Sequence, residues 1–165
     1  MEFLVTTDQT CRRTDEVVTY LTGPRLWIPQ ADYPDYDAWI EKVHEQLRHE
    51  HKRAILALCR NRIVGAVVYQ KHLTEPDALE IKNITVRPDM QGRYVASFLL
   101  RNAEIEGAQD FGVRRALLDA KVRNTAIRTY LFKHGYRPLV PRLDLYGLGA
   151  GEDVVYTKLL ARAAV

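Results

Sequence analysis

Cysteine is scarce in this sequence, and long hydrophobic runs are missing. Cys11 and Cys59 are the two cysteines among 165 residues, too few for a disulfide framework or a cysteine-based zinc cluster. No apolar run approaches the roughly 18 residues of a membrane-spanning helix. The first ten residues lack the basic stretch and apolar run of a secretory signal. These absences predict a cytoplasmic protein without a membrane span.

The sequence also lacks a large excess of charge of either sign. The 24 basic and 21 acidic residues leave a formal charge of +3, and no stripe of Lys and Arg is visible, so a nucleic-acid partner is not expected. His44, His49 and His51 do not have the spacing of one tetrahedral site, and no metal is predicted. The sequence contains no G-x-S-x-G turn, P-loop or H-E-x-x-H, which leaves hydrolase, NTPase and zinc-protease functions unsupported.

What the chain does have is ordinary globular composition and clear periodicity. Its length suits one domain, residues 1–165, with a hydrophobic core large enough to be stable without disulfides or structural metals. Hydrophobic periodicity predicts an α/β (α+β) fold in which a mixed, mostly antiparallel sheet of about seven strands carries helices on both faces. Strands are predicted at Phe3–Thr6, Ala54–Cys59, Ile63–Tyr69, Leu79–Val86, Ala116–Val122, Leu139–Leu145 and Val154–Leu160. Helices are predicted at Thr14–Leu21, Ala38–His51, Gln91–Gln109, and from the cap Asn124 to Gly135. Arg60–Arg62 predicts a hairpin turn between two of the strands.

The stretch VRPDMQGRYVA, residues 86–96, carries most of the chemical information. A strand ends at a proline, a short loop follows, and a long helix opens. Backbone N–H groups at a helix start lack intrahelical partners, and the helix dipole adds positive charge there. Gly92 permits close backbone approach and Arg93 adds a formal charge. This turn therefore predicts a phosphate site.

Two blocks of this sequence resemble the GNAT superfamily of N-acetyltransferases. Val86, Pro88, Gln91, Val95 and Ala96 are in register with the signature V-x-P, two residues, [R/Q]-x-x-G-x-[G/A]. Asn124 stands 11 residues before GYRP, residues 135–138, like the N-x-x-A-…-G-[F/Y]-x-P block. The matches span residues 80–138, and the flanking elements agree in order and length.

The resemblance implies an acetyl-CoA site between two splayed central parallel strands that end near Val86 and Val122. Backbone groups of Ile84 and Val86 would bind the pantetheine arm and the thioester carbonyl. The implied cofactor-binding positions are Ile84, Val86, Gln91, Gly92, Arg93, Tyr94, Val95, Ala96 and Asn124. The implied activity moves an acetyl group to a primary amine, of a small molecule or a peptide, by direct attack in a ternary complex. A homodimer is compatible with the sequence.

Glu80 stands 11 residues before Gln91, where some members of the family have a glutamate general base. Such a carboxylate can take a proton from the attacking amine. The alternative is a solvent-facing strand residue beside Lys82. Asp119, on the neighbouring predicted strand, is a second candidate base, although the sequence favours an exposed strand residue there.

The general acid of the resemblance is less well matched. The family's tyrosine aligns with Leu131, and Tyr130 comes one residue early, which is about 100° of helix rotation. Ile127, Tyr130, Leu131 and His134 form an i, i+3, i+4, i+7 stripe, which favours core packing for Tyr130. Tyr130 is therefore a catalytic candidate with a structural alternative.

Tyr94 replaces the internal glycine of the signature. Its ring could obstruct the cofactor or point away from it. Because the position opens a predicted helix, we expect no positive φ there, and a ring that points away.

The segment from Arg25 to Asp37 mixes aromatic and acidic residues. The resemblance places the acceptor site beneath it, and Trp27, Tyr33 and Tyr36 could receive a cationic amine on their ring faces. The alternative is a capping turn in which Pro34 and Asp35 start the next helix and Trp39 belongs to the core.

Two other functions remain open on the sequence alone. Tyr94 and the displaced tyrosine suggest a CoA-binding module without activity, which would bind CoA and acetylate no amine. Small chains of this architecture also include toxin-like acetyltransferases that act on aminoacyl-tRNA. The formal charge of +3 argues against that reading, and steep salt dependence of RNA binding would support it.

Overall fold

A seven-stranded sheet organises the part of the chain that the structure describes. The computed structural model describes residues 2–4, 13–23, 35–142 and 152–161. The strands are β1 Glu2–Leu4, β2 Arg53–Cys59, β3 Arg62–Lys71, β4 Ala78–Val86, β5 Arg115–Lys121, β6 Arg137–Arg142 and β7 Asp153–Leu159. The helices are α1 Thr14–Thr22, α2 Tyr36–Arg48, α3 Val95–Phe111 and α4 Thr125–Lys133.

The strand order is β1-β2-β3-β4-β5-β7-β6. The β4–β5 pair is parallel, and the other described neighbours are antiparallel. The predicted mixed, mostly antiparallel sheet with a central parallel pair is confirmed. No helix in the described ranges is long and apolar enough to span a bilayer.

The β2–β3 hairpin is also confirmed. Its two loop residues, Arg60 and Asn61, have φ values of 49° and 60°. Two consecutive left-handed residues form the type I′ turn, whose twist matches that of the flanking strands.

Helices cover both faces of the sheet, which explains why β2 and β3 are buried along nearly their whole length. On one face, α1 and α2 pack Val17, Leu21, Val43 and Leu47 against β2 and β3. On the other face, α3 and α4 build the larger apolar core, whose fully buried members include Leu99 and Leu131. We call the first of these the α1–α2 face.

Two glycines let α3 approach the sheet. A Cβ added at Gly107 would lie 2.5 Å from both Cδ atoms of Leu79, and one added at Gly65 would lie 3.0 Å from side-chain atoms of Val95 and Leu99. Real Cβ contacts are longer than this. The helix α3 can therefore lie directly on β3 and β4 only because these two positions are glycine. The helix is thereby held with its N-terminus beside the end of β4.

A buried polar network ties α3 to the last strand. Glu104 of α3 accepts hydrogen bonds from the Tyr136 hydroxyl at 2.9 Å and from Lys158 Nζ at 2.9 and 2.7 Å. Glu104 is 8% exposed and Tyr136 is fully buried. Burial, with the Glu104 charge next, raises the pKa of Tyr136, so its hydroxyl remains a hydrogen-bond donor.

The predicted start of α3 at Gln91 is wrong by four residues. The chain first makes a 3₁₀ turn at Pro88–Met90 and then passes through two left-handed residues, Gly92 at φ 72° and Tyr94 at φ 60°. A left-handed residue cannot continue a right-handed helix. The regular helix therefore begins at Val95.

Candidate functional site

The central parallel strands separate after a short paired segment. Ala78–Glu80 of β4 pair with Arg115–Leu117 of β5. Beyond this segment β4 continues to Val86 and β5 to Lys121, and no pairing between them is observed in the described chain. We call the opening between their carboxyl-terminal halves the β4–β5 gap. Unpaired backbone groups along such a gap can bind an extended ligand.

A bulge in β4 contributes to this separation. The β3–β4 register passes from Val68 opposite Lys82 to Ala66 opposite Thr85, so one residue of β3 faces two of β4. The two bulge residues that face Val67 are Asn83, at φ 51°, and Ile84. A bulge bends its strand and increases its twist. Only the readiness of Asn to adopt positive φ could have indicated this bulge in advance.

Val86 turns its backbone groups toward the gap. The Arg87 N–H donates to the Val64 carbonyl of β3 at 2.9 Å. Neighbouring residues in a strand point their backbone groups in opposite directions, so those of Val86 point away from β3. The side-chain amide of Gln91 donates to the Val86 carbonyl at 3.1 Å. Gln91 thus connects the loop to the strand end, rather than pointing freely into the gap.

The turn at the end of the gap offers backbone donors. The first intrahelical bond of α3 runs from the Phe98 N–H to the Tyr94 carbonyl at 3.0 Å, which leaves the N–H groups of Val95, Ala96 and Ser97 outside the helical ladder. No acidic residue occupies the first turn of α3. A Cβ added at Gly92 would meet nothing within 4 Å, so this side of the turn is open. The turn fits an anionic group.

Tyr94 does not have the backbone predicted for it. Its φ of 60° and ψ of 9° lie in the left-handed region, so the expectation of an ordinary helix-opening residue is wrong. The residue is 83% exposed, and its ring lies in solvent. Glycine is the usual residue at this position of the signature, and the positive φ gives the physical reason. The position of the signature glycine was the signal that sequence reasoning undervalued.

Tyr94→Gly is expected to raise the free energy of unfolding by about 0.5–1 kcal/mol. The substitution removes left-handed strain of about 1–2 kcal/mol, offset by the larger entropy of glycine in the unfolded chain. Urea denaturation measures the change. Gly92→Ala is the matched control, because it introduces a Cβ at a left-handed residue of the same turn and should destabilise by about 1 kcal/mol. A Tyr94→Gly variant less stable than the parent would show that Tyr94 is not left-handed in solution.

Glu80 lies at the inner end of the gap, on the α1–α2 face. Its side chain is 20% exposed, and its carboxylate receives Gln70 Nε2 at 2.5 Å and Lys82 Nζ at 2.9 Å. Glu80 is therefore partly exposed and lies beside Lys82, and its role as general base stays a prediction. One donor on each oxygen leaves lone pairs that can still accept a proton.

Asp119 occupies the facing side of the gap. Glu80 pairs with Leu117 in the parallel register, and side chains two residues apart share a face of a strand. Asp119 is half-buried and lies on the same face as Glu80, two residues further along β5. The two candidate bases thus belong to one face.

Tyr130 packs its ring against the larger core, as the helical stripe predicts. Its hydroxyl is buried and has no hydrogen-bond partner of good geometry within the described residues. Burial raises the pKa of Tyr130 to about 12, an effect that the nearby Ser97 hydroxyl opposes. Leu131, at the family's tyrosine position, is fully buried.

His134 connects Tyr130 to the start of α3. Its Nδ1 lies 2.8 Å from the Tyr130 carbonyl, and its Nε2 lies 2.9 Å from Ser97 Oγ. Since a carbonyl only accepts, Nδ1 carries the hydrogen and the neutral ring accepts from Ser97 at Nε2. Tyr130 and His134 also stack, with ring centroids 4.1 Å apart.

Asn124 and Tyr36 have local roles in the structure. Asn124 Oδ1 accepts from the Ile127 N–H at 3.2 Å and caps α4, as predicted. Tyr36 is the first residue of α2, with its ring centroid 6.0 Å from that of Trp39. Trp27 and Tyr33 lie outside the described residues. Among the described side chains, no group of three or more His, Cys, Asp or Glu could hold a metal ion.

Comparison with known proteins identifies the family and the fold of this chain. A family model described as "Acetyltransferase (GNAT) family" matches residues 18–136. The chain is similar to the solved aminoglycoside 6'-acetyltransferase type Ii, with a TM-score of 0.72 at 15% identity over 99% of this chain and 100% of that one. It is similar to a GNAT-family acetyltransferase from Streptococcus pneumoniae, with a TM-score of 0.70 at 20% identity over 96% of this chain and 99% of that one.

A third solved structure, a GNAT-family acetyltransferase from Elizabethkingia anophelis, has acetyl-CoA bound. It matches with a TM-score of 0.61 at 20% identity, over 73% of this chain and 82% of that one. No curated protein matches the sequence of this chain. At these identities the structural matches establish the fold, while the family model covers most of the sequence.

Proposed function

The chain belongs to the GNAT acetyltransferase family, and we propose that it transfers an acetyl group from acetyl-CoA to a primary amine by direct attack in a ternary complex. The observation that carries the proposal is the β4–β5 gap, which ends at the open N-terminus of α3. An extended thioester arm and an anionic diphosphate need these two features side by side.

Several groups of this chain suit acetyl-CoA. The N–H groups of the turn from Gly92 to Ala96 would bind the diphosphate, and Arg93 would add charge. Backbone groups of Ile84 and Val86 along the gap would bind the pantetheine arm. The contact between Gln91 and the Val86 carbonyl supports a role for Gln91 in shaping the β4 edge of the gap. Asn124 caps α4, the helix that follows β5, and would act on the other side of the gap.

Acetyl-CoA supplies an activated acetyl thioester when it is bound. Glu80, at the inner end of the gap, would take the proton of the attacking amine. Tyr130 is the candidate proton donor, because a hydroxyl with a pKa of about 12 stays protonated at neutral pH and this one has no described acceptor. Trp27, Tyr33 and Tyr36 are proposed for the acceptor side.

Acetyl-CoA is expected to raise Tm, since a ligand that binds only the folded state stabilises it by mass action. At about 100 times the dissociation constant the gain is about 2.7 kcal/mol, or roughly 5–10 °C for a chain of this size. Thermal unfolding and calorimetry measure it, with desulfo-CoA and adenosine as matched ligands. No shift and no heat at millimolar acetyl-CoA would contradict the proposal. Binding with no turnover of any amine would instead indicate a CoA-binding module without activity.

A further inference from the structure

A row of polar side chains crosses the α1–α2 face beside the gap. Gln70 of β3 pairs with Glu80 of β4, and Lys82 lies two residues along on the same face. Arg53 of β2 pairs with Tyr69, which sets Lys52, the preceding residue, beside Gln70. We call Lys52, Gln70, Glu80 and Lys82 the polar row. Beside the row, Val68, Ala54 and Leu56 of the same face belong to the apolar cluster under α1 and α2.

Lys52 is the unusual member of the row. The residue is 8% exposed, and its ammonium group makes no hydrogen bond or ion pair with any described residue. Its charged neighbours are Lys82, Glu80 and Lys42, so two cations and one carboxylate act on it. Burial, with Lys82 next, lowers the pKa of Lys52 to about 8. An ammonium group on a nearly buried residue, beside more cationic than anionic charge, is unfavourable and is a candidate functional group.

α2 carries an unsatisfied polar atom on a residue whose backbone contacts Lys52. The Lys52 N–H donates to the Gln46 carbonyl at 2.9 Å, which joins the loop to α2. The side-chain oxygen of Gln46 is buried and has no partner in the described chain. The unsatisfied Gln46 oxygen is a hydrogen-bond acceptor, so it would pair with a donor and not with a carboxylate.

We propose that Lys52 binds a carboxylate of the acceptor, so that the acceptor is an amine of amino-acid type. This inference rests on the proposed function and specifies its substrate class. Glu80 already has Lys82 as its cation, which leaves the positive charge of Lys52 for the ligand. A carboxylate supplies negative charge beside the Lys52 ammonium.

The geometry of the row sets the size of such an acceptor. Lys52 and Glu80 are separated by one intervening strand, about 10 Å between backbones. The long lysine side chain shortens that distance to the length of a small amino acid. The amine would then lie at Glu80 and the carboxylate at Lys52. A polycation such as spermidine would meet Lys52 and Lys82 unfavourably.

Matched acceptors test the proposal. Each amino acid is compared with its own amide, which keeps the amine and removes the charge. The amine of the amide is less basic, so more of it is neutral and able to attack at neutral pH. A preference for the acid would therefore run against the intrinsic reactivity of the two amines. We expect kcat/KM about tenfold or more higher for the acid, with that advantage lost in Lys52→Met and largely kept in Lys52→Arg. Equal rates for the two members, or an equal loss for both in Lys52→Met, would overturn the inference.

Two controls define the ligand. Lys42→Met removes an exposed lysine that acts on Lys52 and should leave both rates within about twofold. Phosphoethanolamine and ethanolamine form a second matched pair. A preference for phosphoethanolamine without one for amino acids would mean that the ligand anion is a phosphate, and would overturn the carboxylate assignment.

A binding measurement separates this inference from the proposed function. In protein labelled with 13C-lysine, the Lys52 Cε resonance is titrated with N-acetylglycine or N-acetylglycinamide present. N-acetylglycine should raise the Lys52 pKa by about one unit, and the amide should not. No response to the carboxylate would overturn the inference whether or not any amine is acetylated. A response without turnover would leave the carboxylate site standing and contradict the acetyl-transfer proposal instead.

Discussion

Glu80→Gln is expected to lower kcat about 100-fold at neutral pH, with acetyl-CoA affinity nearly unchanged. General-base catalysis contributes about 10²–10⁴-fold, and glutamine cannot take up a proton. The variant keeps the size of the side chain and an oxygen for the Gln70 amide, so the strand should remain in place. Activity should recover partly at high pH, where more of the acceptor amine is already neutral. Steady-state kinetics across pH, with acetyl-CoA saturating, measure both effects.

Two further variants in the same assay sharpen the result. Asp119→Asn changes the other candidate base on this face and should have a smaller effect. Tyr130→Phe removes a hydroxyl that has no described partner, so a loss of rate with unchanged stability would assign it to proton donation and not to packing. A Glu80→Gln rate equal to the parent at every pH would show that Glu80 only balances the charge of Lys82.

Glu104→Ala is expected to produce a large loss of stability, about 3 kcal/mol, or roughly 6–12 °C in Tm. The variant leaves the Tyr136 hydroxyl unpaired in a fully buried position and removes the carboxylate that faces Lys158. The Lys158 side chain is 28% exposed and can regain some water, which holds the loss below that of a fully buried pair. Urea denaturation measures the change.

Matched variants identify the cause of that loss. Glu104→Gln keeps an acceptor for the Tyr136 hydroxyl and should lose about half as much. Lys158→Met in the Glu104→Ala background removes the unpaired ammonium and should restore part of the stability. A loss below about 0.5 kcal/mol for Glu104→Ala would mean that the network does not hold α3 to β7.

Local pattern was sufficient for most of the fold and for part of the site. The apolar runs of β2 and β3 predicted strands because both faces of these strands are covered, and the helix cap at Asn124 follows from its own side chain. The turn after β4 was predicted as an anion site from the order of strand, proline, glycine and helix. Each of these features depends on neighbours within a few residues, which a sequence displays directly.

Other features could not be predicted correctly from the sequence, and the physical reason differs for each. The expectation for Tyr94 was wrong because helix-opening positions usually have negative φ, and the left-handed turn arises from the path between β4 and α3. The bulge at Asn83 appears only when β3 and β4 are paired. The environment of Lys52 depends on α2, β3 and β4 together.

By itself, the sequence determined the order of strands and helices, the hairpin, the phosphate-type turn and the family resemblance, because periodicity, capping and turn chemistry are local. Only the tertiary structure decided which side chains meet. It placed Glu80 with Gln70 and Lys82. It also enclosed the Tyr130 hydroxyl and nearly buried Lys52, and neither side chain has a hydrogen-bond partner of good geometry among the described residues. Such outcomes follow from contacts between residues far apart in the chain, since burial and charge are properties of the packed surroundings and not of the residue alone.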